Sequence, residues 1–384
     1  MTGLSGVASI AAAGMTALTT RSNRSVLDQA AEATRAALTA AGLQPSDVDG
    51  IVSYSIYDDS VWSESVGTAI GAGDLSYVMD FGQGGQSACH MVAHAAMAVS
   101  AGMANTVVVF RALNGKSGKL IGRMTPPSAS SEYRYSLGYT AYPQYIAMWT
   151  RRYMIETGAT EADLGAVAVA ARRWAQLNDR AQFRDPLTLE DYFESPYVAA
   201  PFRVLDCTRE MDGAAAVIVT STERARDLRL KPAVIAGAAW ASHGFDLDMG
   251  GRLNDDTSRN FSSYLADRLW KQSGVGPQDV DHAQLYDCFT GALLQNVEGL
   301  GLAERGAAGA LFASGATSPG GTLPINTNGG LLSEGYLHGM NTVAEAVWQM
   351  QGLGGERQVV DAEVGVVCSG GSSSGSAMVL TSDR

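Results

Sequence analysis

The chain has 384 residues, of which 46% are hydrophobic, so it is long enough to bury one large core or two ordinary ones. Its formal net charge of −12 at pH 7 argues against a general nucleic-acid-binding surface, because such a surface must be basic to meet the phosphate backbone. No apolar run is long enough to span a bilayer, and the N-terminus lacks the basic region of a secretory signal, so we expect no membrane span and a cytoplasmic location.

A helix followed by a strand is predicted twice along the chain. The first helical pattern has Ser25 as its candidate N-cap and ends at Gly42, and the second ends at Gly274. Residues 42–55, GLQPSDVDGIVSYS, align without a gap with residues 274–287, GVGPQDVDHAQLYD, and share six identical positions. Such an internal repeat predicts two copies of one structural unit.

The glycine-rich turn DFGQGG, residues 80–85, leads into a small-residue helix, a place where an enzyme can display a nucleophile. Cys89 is the nearest thiol, and we expect it about one turn inside the helix as a packed core residue. His90 and His94 share a helix face at the spacing of two metal ligands, but no third ligand accompanies them, so we predict no metal. The four cysteines form no Cys-x-x-Cys pair, which argues against a zinc ribbon or a disulfide framework.

Strands are predicted after each glycine-led helix, and they also occur in pairs. The pairs are TVVVFRA (106–112) with VGVVCSG (364–370), and AAVIVTS (215–221) with SAMVLTS (376–382). Alignment of residues 85–102 with residues 335–352 places Gly85 opposite Gly335 at the start of a helix. The order therefore predicts an α/β protein with duplicated βαβαβ halves, whose sheets sandwich the two glycine-led helices.

The two halves are predicted at residues 1–230 and 231–384, and the first is longer because residues 113–205 have no counterpart in the second. We expect this insertion to form a lobe over the active site. From Arg111 to Arg184 the chain has eleven basic against five acidic residues, a net charge of +6, whereas the remainder carries −18. Two interpretations stay open: a solvated charged face, or a site for a phosphorylated ligand.

Three motifs near the C-terminus carry a family resemblance. They are Tyr286-Asp287-Cys288-Phe289 in place of His-Asp-x-Phe, Gly335-Tyr336-Leu337-His338-Gly339 in place of Gly-His-Pro-x-Gly, and the Cys-x-Gly-Gly motif Cys368-Ser369-Gly370-Gly371. With them, the chain resembles the thiolase superfamily over essentially its whole length, specifically the sterol-carrier-protein-X and lipid-transfer-protein branch. The resemblance implies the thiolase fold, a layered α/β/α/β/α sandwich.

This sequence departs from the thiolase pattern at the residues that carry the chemistry. Tyr286 and Tyr336 stand at the two motif histidines, and the position of the nucleophilic cysteine falls on Gly85. In this respect the chain is similar to the steroid side-chain-cleaving aldolases of the same superfamily. The resemblance implies retro-aldol cleavage of a β-hydroxyacyl-CoA, with CoA as part of the substrate and no separate cofactor. It also implies a homodimer and a small OB-fold partner protein that helps to hold the CoA ester.

Retro-aldol chemistry needs a base for the hydroxyl proton, a group that stabilises the thioester enolate, and an acid that protonates it. Tyr286 and Tyr336 are the candidates for proton transfer, although each could also be a structural aromatic residue. The backbone N–H groups at Gly85, Gly335 and Gly370 are candidates for holding the enolate oxygen and the bound ester.

Further candidates are less central. Asp287 could orient Tyr286 or bind a partner loop, and His338 could simply face solvent. Cys368 matches the acid/base cysteine of thiolases, and Arg151 and Arg152 are candidates for contacting the CoA phosphates. Two other functions stay open: a true thiolase that uses Cys89 or Cys368, and a non-catalytic acyl-CoA or lipid carrier.

Overall fold

Nine strands form one mixed sheet in the computed structural model, which describes residues 5–56, 58–118, 136–242, 258–371 and 373–383. These strands are β1 (Ala8–Met15), β2 (Gly50–Tyr54), β3 (Tyr77–Phe81), β4 (Thr106–Asn114), β7 (Asp212–Ser221), β8 (Ala233–Ser242), β9 (His282–Leu285), β10 (Val364–Ser369) and β11 (Ser374–Ser382). A separate hairpin consists of β5 (Tyr197–Ala199) and β6 (Phe202–Arg203).

Helices lie on both faces of this sheet. Among the described residues they are α1 (Val26–Ala41), α2 (Ser63–Ile70), α3 (Ala88–Ser100), α4 (Tyr142–Thr157), α5 (Glu161–Gln176), α6 (Leu189–Glu194), α7 (Thr222–Arg226), α8 (Ser262–Ser273), α9 (Thr290–Gly299), α10 (Ala308–Ala313), α11 (Gly330–Ser333) and α12 (Met340–Gln351). Within the described ranges, no helix is both long and apolar enough to cross a bilayer.

The strand order confirms the duplication. Read outward from the centre of the sheet, the first half has the order β1, β7, β4, β2, β3, and the second half has β8, β11, β10, β9. A single parallel bridge between Ala283 and Ile325 stands where the second half would have its fifth strand. The two half-sheets are also joined, because β1 pairs with β8 at Ser9–Val234 and Ile10–Ala233. The separate sheets predicted from the sequence are therefore one continuous sheet.

The layers follow the predicted α/β/α/β/α order. Helix α1 packs on β1, β4 and β7, and α8 packs on β8 and β11, so each covers the outer face of one half-sheet. Helices α3 and α12 contact strands of both halves and lie between the half-sheets. Both central helices are rich in small and apolar residues, as expected for helices that are buried on most sides.

The repeated sequence motif forms the same corner in both halves. Gly42 and Gly274 adopt left-handed conformations, with φ of 79° and 74°, and end α1 and α8. Asp49 and Asp281 then each accept a backbone N–H, 2.8 Å away, from the first residue of β4 and of β10 respectively. The predicted N-cap Ser25 accepts a hydrogen bond from the backbone of Asp28 at 3.1 Å.

The inserted lobe belongs structurally to the second half. Its helices α4, α5 and α6 share one hydrophobic core with α9 and α10, which follow Tyr286 along the chain. Tyr153 of α4, for example, donates to the carboxylate of Glu298 in α9 at 2.5 Å. The lobe therefore packs beside the segment that carries Tyr286. Part of the lobe, including Lys119, Arg123 and Arg134, lies outside the described residues. The boundary between the two predicted halves, at residues 230 and 231, stays a prediction.

Candidate active site

The two candidate tyrosines lie side by side. Tyr286 follows β9 directly, Tyr336 comes three residues after α11, and their hydroxyl oxygens are 2.6 Å apart. The rings meet edge to face with centroids separated by 6.1 Å. The backbone N–H of Tyr286 donates to the carbonyl of Cys368 at 2.9 Å, which fixes the start of this segment against β10. The fold thus brings together residues from two separate motifs at hydrogen-bonding distance.

Burial keeps both phenols protonated at rest, because it raises the pKa of Tyr286 and of Tyr336 well above the ordinary value. The neighbouring Tyr336 raises the pKa of Tyr286 further. The hydrogen bond with Tyr286 acts in the opposite direction on Tyr336 and lowers its pKa in part. Either hydroxyl can donate in this 2.6 Å contact, so the pair is arranged to pass a proton from one phenol to the other.

Gly85 lies against the hydroxyl of Tyr286. A Cβ atom at position 85 would overlap the hydroxyl oxygen of Tyr286 and come within 2.6 Å of Cε2 of the ring. Gly339 also approaches this ring: it has a φ of +84°, and a Cβ there would come within 3.0 Å of Cδ2 of Tyr286. The phenol therefore fills the space in which a side chain at position 85 would stand. A nucleophilic cysteine does not fit this arrangement.

Gly335 and Gly370 occupy backbone conformations that favour glycine, with φ of +138° and +132°. A Cβ at Gly370 would also come within 2.7 Å of the carbonyl oxygen of Ser374. The side chain of Asn296 donates to the carbonyls of Tyr286 and Gly370 at 3.0 and 3.1 Å, and so ties the two segments together. The proposed contacts of these glycines with an enolate or a bound ester stay a prediction.

Asp287 contacts neither tyrosine hydroxyl. Its buried carboxylate accepts the backbone N–H groups of Leu331 at 2.7 Å and Leu332 at 3.3 Å. Burial raises the pKa of Asp287 to about 7, while these hydrogen bonds act in the opposite direction. The side chain therefore anchors α11, the segment that leads into Tyr336. It orients the second tyrosine through the backbone, rather than Tyr286 directly.

His338 is buried, and the expectation that it could simply face solvent is wrong. Its ring packs against that of Tyr336 with a centroid distance of 4.6 Å, and its Nδ1 lies 2.8 Å from Nη2 of Arg111. Arg111 is in turn paired with Asp59 at 2.5 Å. Burial and the charge of Arg111 lower the pKa of His338 well below its ordinary value, so the imidazole is neutral. The burial of His338 could not be predicted locally, because its partner Arg111 lies in the other half of the chain.

Sequence reasoning missed this supporting group. Arg111 is the single charged residue in the apolar strand TVVVFRALN, and such an isolated charge in a central strand could have indicated a buried polar partner. Tyr54, the repeat counterpart of Tyr286, donates its hydroxyl to the carbonyl of His338 at 3.0 Å. No local pattern indicated Asp59, which lies in the loop after β2.

The thiols are poor nucleophiles where they stand. Cys89 is fully buried with its Sγ 3.4 Å from Oγ of Ser369, and burial raises its pKa to about 12. Helix α3 begins at Ala88, so Cys89 lies in the first turn and not one turn inside, because residues 85–87 form a separate 3₁₀ turn. Burial and the neighbouring Cys89 raise the pKa of Cys368 well above the ordinary value. A role for Cys368 in protonation stays a prediction.

Arg151 and Arg152 lie on the solvent-exposed face of α4, and Arg152 forms an i,i+4 ion pair with Glu156 at 2.5 Å. Other basic residues of the lobe bind the protein itself, as Arg180 does with Glu334 and Glu345 at 3.3 and 3.1 Å. A contact of the exposed pair with CoA phosphates stays a prediction.

The Nε2 atoms of His90 and His94 are 3.2 Å apart. Within the described ranges, no group of three or more His, Cys, Asp and Glu residues is arranged to hold a metal ion.

Comparison with known proteins identifies the family. A family model described as "Thiolase C-terminal domain-like" matches residues 254–382. A 17-hydroxy-3-oxo-4-pregnene-20-carboxyl-CoA lyase of Mycobacterium tuberculosis is 42% identical over 383 residues, which cover 96% of this chain and 99% of the relative. A steroid side-chain-cleaving aldolase of Thermomonospora curvata is 41% identical over an alignment of 395 positions that covers 100% of both chains.

Solved structures agree. The Ltp2-ChsH2(DUF35) aldolase superposes with a TM-score of 0.93 at 40% identity and covers 99% of each chain. Human mitochondrial 3-ketoacyl-CoA thiolase superposes with a TM-score of 0.74 at 15% identity over 100% of each chain, which shows the fold alone. The chain therefore belongs to the thiolase superfamily and, within it, to the group of steroid side-chain-cleaving aldolases.

Proposed function

We propose that this protein is a carbon–carbon lyase that cleaves the CoA ester of a steroid side chain by a retro-aldol reaction. The observation that carries the proposal is the tyrosine pair, which fills the space next to Gly85 and leaves no room there for a nucleophile. The relatives named as a lyase and an aldolase support the same reaction and the same class of substrate.

The reaction needs no group that this site lacks. In a proton relay, the oxygen of one tyrosine receives the proton of the substrate β-hydroxyl as that tyrosine passes its own proton to the second tyrosine, so both phenols stay neutral once the second has delivered its proton to Cα. The Cα–Cβ bond breaks, and a ketone leaves. The electrons of that bond form the thioester enolate, and the tyrosine pair returns a proton to Cα to give the shorter acyl-CoA. The hydroxyl proton therefore ends on Cα, and neither water nor free CoA is consumed. We accordingly propose that no metal or organic cofactor takes part, and that dialysis against a chelator leaves turnover unchanged.

Substitution of each tyrosine by phenylalanine tests the function. Phenylalanine keeps the ring and its packing but removes the hydroxyl, so Tyr286→Phe and Tyr336→Phe separate proton transfer from structure. A positioned acid or base contributes about 10²–10⁴-fold, and we expect a loss of kcat of that order with little change in melting temperature. Near-normal turnover by both variants would contradict the proposal. Cleavage of β-ketoacyl-CoA only with free CoA present would indicate a thiolase instead.

We also propose that the protein acts in the cytoplasm as a homodimer, together with a small OB-fold partner that holds part of the acyl-CoA. The similar aldolase structure carries the name Ltp2-ChsH2(DUF35), which supports a partner protein. We expect a higher turnover of the acyl-CoA substrate when ChsH2(DUF35) is added to the purified chain. Equal turnover with and without it would argue against this partner.

A further inference from the structure

The hydrogen bonds of His338 fix which ring nitrogen carries the proton. An arginine side chain has only donors, so Nδ1 of His338, which lies 2.8 Å from Nη2 and 3.3 Å from Nε of Arg111, must be the acceptor. A neutral imidazole whose Nδ1 accepts a hydrogen bond has its proton on Nε2. His338 is therefore held as an Nε2–H donor.

The surroundings of His338 fix its position as firmly as its tautomer. Arg111 is fully buried and is held by Asp59 at 2.5 Å and by the carbonyl of Ala112 at 3.2 Å. The hydroxyl of Tyr54 holds the carbonyl of His338 itself at 3.0 Å. His338 also has a φ of +50°, a conformation that few residues other than glycine adopt and that the fold must maintain.

The donor nitrogen itself is without a partner among the residues that the structure describes. His338 is only 2% exposed, and its polar contacts go through Nδ1 and the backbone carbonyl. The ring of His338 packs beside that of Tyr336, whose hydroxyl forms the catalytic pair with Tyr286. A neutral donor is thus held, unpaired, next to the groups that move the proton.

We propose that His338 donates its Nε2–H to the thioester carbonyl oxygen of the bound substrate, and that Asp59 and Arg111 are positioning residues for this donor. The inference rests on the retro-aldol function proposed above. As the Cα–Cβ bond breaks, its electron pair moves into the enolate and negative charge develops on the oxygen that His338 binds. His338 keeps its proton throughout, because the adjacent guanidinium opposes an imidazolium ion and the tyrosines carry the proton transfers.

Two substitutions separate the donor from the surrounding structure. Asparagine at position 338 offers an acceptor to Arg111 near the place of Nδ1 but has no donor at the place of Nε2. Glutamine reaches the place of Nε2 with an N–H group but lacks the Nδ1 acceptor. We expect His338→Asn to lower kcat by about 10²–10³-fold with little change in KM, since the contact forms as charge develops. We expect His338→Gln to retain at least about tenfold more activity than His338→Asn.

A partial reaction provides the decisive readout. Exchange of the Cα protons of the short acyl-CoA product in D₂O passes through the same enolate but involves no β-hydroxyl, so His338→Asn should slow both exchange and cleavage. Normal kcat and normal exchange in His338→Asn, with cleavage by the wild type, would overturn the inference and leave the proposed function intact. Equal losses in His338→Asn and His338→Gln would assign His338 a structural role only. No cleavage by the wild type would instead count against the function itself.

Discussion

Gly85 and Tyr286 form a matched pair, because any side chain at position 85 would need the space that the phenol hydroxyl occupies. We expect Gly85→Ala to displace the hydroxyl of Tyr286 from that of Tyr336 and to lower kcat by at least about 10²-fold, comparable to losing a positioned acid or base. Gly82→Ala is the matched control, since a Cβ at Gly82 meets no atom within 4 Å. Steady-state kinetics of both variants test this, and a fully active Gly85→Ala would contradict it.

The buried thiols lead to a second prediction for single residues. Burial raises the pKa of Cys89 to about 12 and that of Cys368 well above the ordinary value, so neither is a thiolate at neutral pH. We expect no acyl adduct on either cysteine in intact-mass spectra after incubation with substrate. Cys89→Ala should keep most of the activity, and detection of an acylated Cys89 would restore the thiolase alternative. Cys368→Ala tests separately whether that thiol assists protonation.

Equivalent strand pairs in the two halves place their small and large residues in opposite order. In the first half Gly50 of β2 pairs with Val107 of β4, and in the second half His282 of β9 pairs with Gly365 of β10. A Cβ at Gly365 would come within 2.5 Å of Cε1 of His282. Each pair therefore contains one glycine and one larger residue, with the order reversed between the halves. Because Gly365 has no side chain, the imidazole of His282 fits beside it and is fully buried.

This buried imidazole makes stability depend on pH. Burial lowers the pKa of His282 to about 4, although Glu345 and Asp281 act in the opposite direction. Between pH 4 and the ordinary value of 6.5 the folded state binds fewer protons than the unfolded state, so stability is full above pH 6.5 and falls as pH falls toward 4. The expected loss is about 3 kcal/mol. Urea unfolding of wild type and His282→Gln at pH 7 and pH 4.5 measures it, and equal pH dependence would contradict the assignment.

Helix α4 provides a test of the proposed phosphate contacts. Arg151 and Arg152 are exposed on it, and one ion pair with Glu156 leaves charge available to a ligand. If they bind the CoA phosphates, Arg151→Glu and Arg152→Glu should raise KM for the CoA ester more than they lower kcat. Lys271→Glu, on the exposed face of α8, is the charge-matched control. An unchanged KM in the arginine variants would identify the two residues as a solvated surface.

For the whole molecule, local signals predicted the repeat but not the charged group behind the site. The repeat could be predicted because Gly42 and Gly274 end equivalent helices and the same aspartate follows in both halves. The burial of His338 could not, since it depends on Arg111, which is 227 positions away in the sequence. The joining of the half-sheets rests on two residue pairs between β1 and β8, too few to leave a pattern. Contacts between distant segments of the chain are therefore the features that could not be predicted from the sequence.

If the chain forms the homodimer proposed above, the edge of the sheet predicts where the two copies meet. Among the described strands, β3 pairs only with β2, so one side of β3 is free for hydrogen bonding, and Val78 and the nearby Trp62 are 37% and 66% exposed. An exposed apolar edge strand is a ready surface for a second chain. We expect Trp62→Lys combined with Val78→Lys to halve the molar mass measured by light scattering. Val360→Lys, at an 81% exposed apolar position elsewhere, should leave the dimer intact. A monomeric wild type, or a dimer that survives the double substitution, would refute this interface.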